Sequence, residues 1–391
     1  MIAVGRAPTS PVSRERSREI KRQSVISAAR EARVLSRVDL AELTGLPAAT
    51  LTALVRDLIA DGYLIERGPG ANTHGRPRAM LEFNPRAELV AAVSLEPPRI
   101  TCEIADSNGT VIAHRTSRLG RDVVETVCQF VAELVADNRP SLCGVAIAVP
   151  GVSSDGAVRL APSVGLVEAR PIGQSVQQEL GVPVVVDNDV NLMAAGERMA
   201  GAGKDVDDLL LLHVADGIGA GLILDGQVRR GASGAAGEIG FLPLDPQADR
   251  AYSGVGPFEA RWSANAIAER VVALNPGRRP EAPVSELIEL AATSAAARAY
   301  LDEVLEAWAR LVISCACVVD PGRVLLSGAA AELDDAALAR IQDLVSARVP
   351  ASTEVRRAVL GDQAVLHGAI SYALSAAVRL PGPFLTTNHH R

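Results

Sequence analysis

The sequence lacks long apolar runs, an export signal and a regular cysteine framework. No apolar stretch reaches the roughly 18–20 residues that a membrane-spanning helix needs, so no membrane association is expected. The basic N-terminal stretch is not followed by the apolar segment of a secretory signal, so a cytoplasmic location is expected. An odd number of cysteines without framework spacing is typical of reduced thiols. The cysteines all lie in apolar stretches: Cys102, Cys128, Cys143, Cys315 and Cys317.

Lysine is also nearly absent, because Lys21 and Lys204 are the only two and arginine carries almost all positive charge. The net charge of −7 is unevenly distributed. Residues 1–80 hold 13 Lys and Arg against 8 Asp and Glu, whereas the remainder holds 26 against 38. A basic N-terminal region on an acidic remainder favours contact between that region and a polyanion, although a solvated charged helix has the same composition. A length of 391 residues predicts two or three domains.

Residues 36–67 have the pattern of a helix-turn-helix. Ser36 and Asp39 are spaced as a capping box, which satisfies the free amides at a helix start. Leu40 and Leu43 are predicted to share the buried face of this first helix. Gly45 supplies the turn, since glycine tolerates positive φ.

The second helix of the motif is predicted to open at Pro47. Its apolar residues recur every three or four positions: Leu51, Leu54, Val55 and Leu58. In this motif the second helix enters the major groove. The outward positions that are candidates for base contact are Ala48, Ala49, Thr50, Thr52 and Arg56. Methyl contacts to thymine and the Arg56 guanidinium are expected to read the bases. The candidates for phosphate contact, on the preceding helix, are Arg14, Arg16, Arg18, Lys21 and Arg22.

Two short predicted strands, Tyr63–Arg67 and Met80–Phe83, enclose a loop rich in glycine and proline. His74, Arg76 and Arg78 lie at its tip, where arginine suits a narrow minor groove. Residues 1–83 are therefore predicted to form a winged helix-turn-helix that binds a double-stranded DNA operator. A small helical bundle with a hairpin and no affinity for DNA is the alternative.

After a linker at residues 84–88, strand and helix patterns alternate, which predicts two α/β lobes at residues 89–200 and 201–378 and a tail at 379–391. The segment VVVDNDVN runs from a buried strand into Asp187, Asn188, Asp189 and Asn191. Ligands in α/β proteins collect at the carboxyl ends of strands, so this turn is a candidate binding site.

Several long motifs together resemble the ROK family, which contains repressors, open reading frames and sugar kinases. They are GLPAATLTALVRDLI, HGRP, AVPG, VDNDVN and DGIGAGLILDGQVRRGASGAAGEIG. The resemblance covers most of the chain. It implies an α/β fold in which a winged helix-turn-helix precedes a two-lobed, actin-like sugar kinase body. It also implies that the C-terminal helix completes the first lobe and that the second lobe dimerises.

The resemblance implies that Asn188, Asp189, Glu238 and Glu259 bind a sugar, with Asp189 at the position of the kinase base. The hairpin that cradles nucleotide phosphates in the family aligns with residues 94–98. There, Glu96, Pro97 and Pro98 replace residues that supply amide donors. One glycine loop, DGIGAG, remains. An ATP site, and hence catalysis, is not expected.

The family's structural zinc is not expected either. The resemblance places Phe241 where relatives carry a histidine ligand, and residues 250–259, where relatives carry three cysteines, contain none. Cys315 and Cys317 are predicted to be core residues of an apolar helix. No cofactor is expected.

The combined prediction is a cytoplasmic transcription regulator that is not an enzyme. We expect a repressor that forms a homodimer or a dimer of dimers and responds to a sugar or sugar phosphate. A regulator whose cleft has lost its sugar, which Phe241 favours, and an active ATP-dependent sugar kinase are the alternatives.

Overall fold

The computed structural model describes residues 11–69, 79–136, 141–154, 157–160, 171–244, 255–277 and 279–379.

The N-terminal region contains three helices and a three-stranded sheet. In chain order they are α1 (Pro11–Ala32), β1 (Val34–Ser36), α2 (Arg37–Thr44), α3 (Ala48–Ala60), β2 (Leu64–Pro69) and β3 (Ala79–Phe83). The strands are ordered β1-β3-β2 and pair antiparallel. The capping box is confirmed, because the Ser36 side chain accepts from the Asp39 amide and the Asp39 carboxylate accepts from the Ser36 amide. Gly45 has φ +67° at the turn, as predicted.

Two details of this motif were predicted wrongly. Leu43 is 63% exposed, whereas Leu40 is fully buried. The reason is that Leu43 lies in the last turn of α2, beside an open groove along α1, rather than between the packed helices. The second helix begins at Ala48, and Pro47 is its N-cap.

The first lobe is built on a five-stranded sheet ordered β10-β7-β4-β5-β6. Its elements are β4 (Glu88–Glu96), β5 (Arg99–Asp106), β6 (Val111–Arg118), α4 (Val123–Ala136), β7 (Ser141–Val149), β8 (Val152–Ser154), β9 (Ala157–Leu160), α5 (Ile172–Leu180), β10 (Val184–Asn188) and α6 (Asp189–Ala200). Strands β10, β7 and β4 are parallel, and β4, β5 and β6 form an antiparallel meander.

The second lobe is built on a sheet ordered β13-β12-β11-β14-β15. Its elements are β11 (Leu209–Val214), β12 (Ile218–Leu224), β13 (Gln227–Val228), α7 (Glu259–Trp262), α8 (Ala264–Leu274), α9 (Pro283–Ala291), α10 (Ala295–Val319), β14 (Arg323–Gly328), α11 (Asp335–Ser346) and β15 (Glu354–Arg357). The largest core of the chain joins this sheet to α7–α11.

Alternate residues of β4 face two different cores. Val93 and every second residue of β4 on either side of it pack under α4 and α5. Val90 and Ala92, on the other face, pack under the last helix, α12 (Gln363–Arg379). Helix α6 covers one face of the second sheet, and α12 covers one face of the first.

Helices α6 and α12 cross in backbone contact between the lobes. A Cβ atom on Gly196 would lie 2.0 Å from the Ala364 carbonyl oxygen, and one on Gly368 would lie 1.9 Å from that of Leu192. Only glycine fits both positions. The buried Glu197 carboxylate accepts the amides of Ala202, Val359 and Leu360, which fixes the chain around this crossing.

The prediction for Cys317 was wrong, because Cys315 is buried but Cys317 is exposed. Residues two apart on a helix point to nearly opposite sides. The predicted linker at 84–88 also has more structure than expected. Glu88 begins β4, and Pro85–Ala87 forms a 3-10 helix. Asn84, its N-cap, donates hydrogen bonds to the carbonyls of Gly62 and Tyr63, and the Ser107 amide donates to the Pro85 carbonyl.

Among the described residues, no single helix has the length and apolar character to cross a membrane. Only the pair α2 and α3, bent by 115°, meets that criterion when the two helices are taken together.

Candidate ligand cleft and DNA-binding face

The turn after β10 is organised by a buried ion pair. Asp187 is 1% exposed and accepts hydrogen bonds from the Asn188 amide and from Nδ2 of Asn191. Its other oxygen lies 2.5 Å from a terminal nitrogen of Arg230, whose guanidinium stacks 5.3 Å from the Tyr372 ring. Arg230 therefore ties the chain that follows β13 in the second lobe to β10 through Asp187 and to α12 through Tyr372.

Asn188 is the N-cap of α6. Its side-chain oxygen accepts the amides of Val190 and Asn191, and its Nδ2 donates to the Gly151 carbonyl at 2.9 Å. These contacts give Asn188 a structural role, because an N-cap satisfies otherwise free helix amides.

Asp189 is the first residue of α6 and is half-buried. Burial raises the pKa of Asp189 to about 7, hydrogen bonds from backbone amides oppose this rise, and the carboxylates of Glu96 and Glu238 add to it. The carboxylate therefore titrates near neutral pH, where it can accept or release a proton or accept a hydroxyl donor.

Glu238 and Glu259 belong to the second lobe, and the charge of Glu238 contributes to the raised pKa of Asp189. Burial raises the pKa of Glu238, and the charge of Glu259 raises it further. Glu259 accepts the Gly256 amide at 2.6 Å and the Ile218 amide at 3.1 Å. The structure thus brings together Asp189, Glu238 and Glu259, with Asn188 as a support.

The glycine loop DGIGAG packs against Glu259. A Cβ atom on Gly240 would lie 2.6 Å from a Glu259 oxygen, and one on Gly217 would lie 3.1 Å from the same oxygen. The amide of Ile218, within this loop, is already donated to Glu259. The small residues therefore make room for a carboxylate of the protein itself.

The turn between β4 and β5 contains a carboxylate and two prolines. The Ser94 hydroxyl donates to Glu96 at 2.8 Å, and Arg99 lies 3.6 Å from the other Glu96 oxygen. Pro97 and Pro98, joined by a cis peptide bond, have no amide hydrogen to donate. The turn therefore carries an ion-paired carboxylate, and its two prolines cannot donate a backbone hydrogen bond to a phosphate.

Sequence reasoning missed two polar contacts near the cleft. Arg230, the partner of Asp187, is one. The sequence does contain a signal for it, because a buried acid with no cation nearby in the sequence requires a distant partner. The other is His213, whose Nδ1 lies 3.2 Å from the Ser327 hydroxyl where β11 and β14 end side by side. Burial lowers the pKa of His213 to about 4, against the opposite effect of Asp362, so the ring is neutral at neutral pH.

No group of three or more His, Cys, Asp or Glu residues suited to a metal ion occurs in the part of the chain that is described. Phe241 ends the 3-10 helix Ile239–Phe241, directly after Glu238. Residues 245–254 lie outside the described residues, so the structure describes only part of the stretch that aligns with the family's cysteines.

The predicted DNA-reading face is exposed on α3. Ala48, Ala49, Thr52 and Arg56 are exposed and Thr50 is half-buried. The Arg56 side chain is 80% exposed and lies 3.4 Å from Asp57. The wing-tip residues His74, Arg76 and Arg78 lie outside the described residues.

Two of the predicted phosphate contacts, Arg18 and Arg22, form ion pairs within the protein. Arg18 lies 2.7 Å from Asp57, and Arg22 lies 2.6 Å from Asp61, so both arginines brace α1 against α3. The prediction missed this pairing because acidic residues of α3 face α1. Arg16 and Lys21 are exposed.

Comparison with known proteins identifies relatives over most of the chain. Residues 91–376 match the model of the ROK family. The xylose repressor of Caldicellulosiruptor bescii is 27% identical over 93% of this chain and 98% of its own length. The putative xylose repressor of Caldicellulosiruptor sp. strain Rt8B.4 is 31% identical, and the match covers 58% of this chain and 59% of that protein.

Solved structures with the same architecture include regulators and kinases. A ROK family transcriptional regulator, described as a homologue of the Escherichia coli protein MLC, has a TM-score of 0.70 at 22% identity, over 93% of this chain and 98% of that chain. The ROK hexokinase of Thermus thermophilus has a TM-score of 0.63 at 24% identity, over 74% of this chain and 98% of that one. These likenesses confirm the predicted fold class.

Proposed function

The chain belongs to the ROK family, and from this premise we propose that it is a DNA-binding transcription regulator, a repressor, whose cleft binds a sugar without phosphorylating it. The relatives named as xylose repressors support this proposal. So does the exposed face of α3 on an N-terminal region that carries the basic charge.

One strand carries the proposal furthest, because β4 connects the DNA-binding region to the cleft. Its first residue, Glu88, forms an ion pair with Arg30 of α1, and Arg30 also stacks 5.0 Å from the Phe83 ring. The charge of its last residue, Glu96, raises the pKa of Asp189. A ligand that shifts the lobes about the α6–α12 crossing would move β4 and therefore the attached head.

The proposed ligand contacts are Asp189, Glu238, Glu259 and the remaining hydrogen-bonding capacity of Asn188. The proposed ligand is a sugar or a sugar phosphate. It regulates only through different affinities for the two arrangements of the heads. A regulator whose cleft has lost its sugar is the alternative that Phe241 favours.

The domain division stays as proposed from the sequence, except that β4 begins at Glu88. The DNA-binding domain is 1–83, the lobes are 89–200 and 201–378, and α12 of the second range packs on the first sheet. A homodimer or a dimer of dimers in the cytoplasm would place two heads on half-sites separated by whole helical turns.

Absence of catalysis is part of the proposal. Its support is the β4–β5 turn, where Pro97 and Pro98 have no amide hydrogen and Glu96 adds a negative charge. Asp189 then serves as a hydrogen-bond acceptor for a bound hydroxyl and not as the base of a phosphoryl transfer.

The experiment is selection of genomic DNA fragments on the full chain, followed by fluorescence anisotropy with and without sugars. We expect a recovered site with two half-sites whose affinity changes at least about fivefold with one sugar, which corresponds to a coupling free energy of about 1 kcal/mol. Arg56→Ala should relax base preference, whereas Arg76→Ala should weaken binding evenly across sequences. Failure of the full chain to bind any DNA fragment would remove the regulator from consideration.

A further inference from the structure

An open groove lies between α1 and the end of α2 in the N-terminal region, and it has a volume of about 440 Å³. Its lining includes side chains of both helices: Ser24, Ser27, Ala28, Glu31, Leu43 and Thr44. Two large apolar side chains beside it are open to solvent. Leu43 is 63% exposed, and Ile20, one turn before Ser24 on α1, is 64% exposed. Because burial of such apolar surface is favourable, the groove is a candidate docking surface.

Four residues of α1 in this lining are spaced as the hole of a helix–helix contact. They occupy positions i, i+3, i+4 and i+7 of the helix: Ser24, Ser27, Ala28 and Glu31. A hole of this spacing receives one apolar side chain, the knob, from a helix that packs against it. Ser24, Ser27 and Ala28 are small, so a second helix can approach closely. In the described ranges of the chain, no side chain fills this hole.

The chain itself carries a side chain suited to this hole. Ile20 precedes Ser24 by four residues, so it lies on the same face of α1 as the hole. It does not reach the hole of its own helix, because that hole begins one turn further along. A second copy of α1 that runs antiparallel can supply its own Ile20 and receive the first copy's Ile20 in return. Two-fold symmetry produces this kind of reciprocal contact.

The charges on this face are complementary in the same arrangement. Arg16 and Glu31 are both exposed, and neither forms an ion pair with a residue in the described part of the chain. The two arginines of α1 that pair with α3 lie on another face of the helix. Antiparallel helices that bring Arg16 against Glu31 of the second copy also bring Ile20, four residues later, against Ser27, four residues earlier. A single axis therefore satisfies both the knobs and the ion pairs.

From these observations we infer that the groove is a contact surface between two copies of this chain, in which α1 packs antiparallel against α1 and Ile20 of each copy enters the groove of the other. The inference rests on the proposed function, which needs two DNA-binding regions on two half-sites. The contact would hold the two α3 helices at a fixed separation and so restrict the operators that the dimer binds. Any other occupant of the groove would have no reason to follow the two-fold pairing.

The test is oxidative crosslinking of the full chain without DNA, in a Cys317→Ser background because Cys317 is exposed. Ser24 lies beside the proposed axis, where two facing Cα atoms can come within the roughly 4.4–6.8 Å that a disulfide spans. Ser24→Cys should therefore give a disulfide-linked dimer. The matched control is Ser17→Cys, an exposed position on the same helix whose two copies would lie about 20 Å apart along it. We expect at least about tenfold less crosslinked dimer from the control.

Charge reversal at the ends of the contact distinguishes a specific pairing from a chance collision. Arg16→Glu and Glu31→Arg, each combined with Ser24→Cys, should lower the yield of crosslinked dimer at least about threefold, because like charges then face each other twice. The two reversals together should restore the yield. Ile20→Asp should abolish the crosslink and leave the urea midpoint of unfolding unchanged, since this side chain is exposed in the single chain.

The outcomes separate this inference from the proposed function. Equal yields from Ser24→Cys and Ser17→Cys, or no recovery of yield in the double reversal, overturn the contact and leave the proposed regulator standing if the chain binds DNA. The expected crosslinking pattern in a chain that binds no DNA fragment supports the contact and removes the regulator.

Discussion

Two turns at the same edge of the first sheet, VDNDVN after β10 and the turn between β4 and β5, differ in what their backbone amides do. At the VDNDVN turn, the amides of Val190 and Asn191 donate to the side chain of Asn188, and the Val190 amide also donates to one oxygen of Asp189. At the β4–β5 turn, Pro97 and Pro98 have no amides to offer. The first turn carries acceptors suited to the hydroxyls of a polyol, whereas the two prolines of the second offer no amide to a triphosphate.

The difference teaches that binding and reaction depend on separable groups in this fold. Phosphoryl transfer needs a phosphate cradle, positioning of the nucleotide and a base near the hydroxyl. Recognition of a sugar needs only the acceptors. A chain can therefore lose the cradle and keep the acceptors, and the cleft then serves as a sensor.

The largest expected effect concerns the Arg230–Asp187 ion pair at the VDNDVN turn. Arg230→Met leaves the buried Asp187 without its cation, so we expect the free energy of unfolding to fall by about 2 kcal/mol. That is less than for a fully buried pair, because Arg230 is 40% exposed. Urea unfolding measures the loss.

The neighbouring residue provides the control for this prediction. Arg229 pairs with Asp225, and both side chains are well exposed, so Arg229→Met should cost less than about 0.5 kcal/mol. Equal costs for the two substitutions would contradict the structural role given to Asp187.

Next in size is the loss of a ligand acceptor. Glu238→Gln should weaken binding of the effector about tenfold, since one charged hydrogen bond is replaced by a neutral one and about 1.4 kcal/mol is lost. Calorimetry with the sugar that binds the unsubstituted protein measures it. Glu289→Gln, an exposed change on α9, serves as the reference, and similar affinities for both variants would remove Glu238 from the site.

The dependence on pH should be smaller. Because the pKa of Asp189 is raised to about 7, the carboxylate is mostly protonated below that pH and accepts a sugar hydroxyl poorly. Affinity should therefore increase by a factor of about three to ten from pH 6 to pH 8, and Asp189→Asn should abolish the dependence. A profile that is flat for the unsubstituted protein would contradict this role for Asp189.

The same raised pKa has a consequence for stability. An acid whose pKa is higher in the folded chain destabilises it progressively as pH rises from the unfolded value of 3.8 to about 7. The unfolding free energy, measured without added sugar, should decline over that range, and less so in Asp189→Asn.

The smallest expected effect concerns the influence of Glu96, at one of the two turns, on Asp189 at the other. Glu96 raises the pKa of Asp189, so Glu96→Gln should move the pH midpoint of sugar binding toward lower pH. Calorimetry at several pH values detects the direction of this shift. A midpoint that stays in place, or moves upward, would show that the two carboxylates do not interact.

Local sequence signals predicted local structure well. The capping box at Ser36, the turn at Gly45 and the strand before Asp187 each depend on neighbours within a few residues, and the structure has all three, although that strand extends two residues further than predicted, to Asn188. The positions of Glu238 and Glu259 came from the family resemblance and not from local pattern.

The contacts that sequence reasoning missed join distant residues. Arg230 lies 43 residues from Asp187, and Arg18 lies 39 residues from Asp57, so nothing in either neighbourhood indicates the pairing. Exposure of Leu43 depends on where α2 ends relative to α1, which apolar periodicity does not specify.

The central claim is that the cleft binds a sugar and does not transform it. The most direct measurement is ADP release by the full chain with ATP, magnesium and a sugar shown by calorimetry to bind. We predict that the sugar causes no increase in ADP release over the rate without it. Sugar-dependent release that Asp189→Asn abolishes would contradict the account.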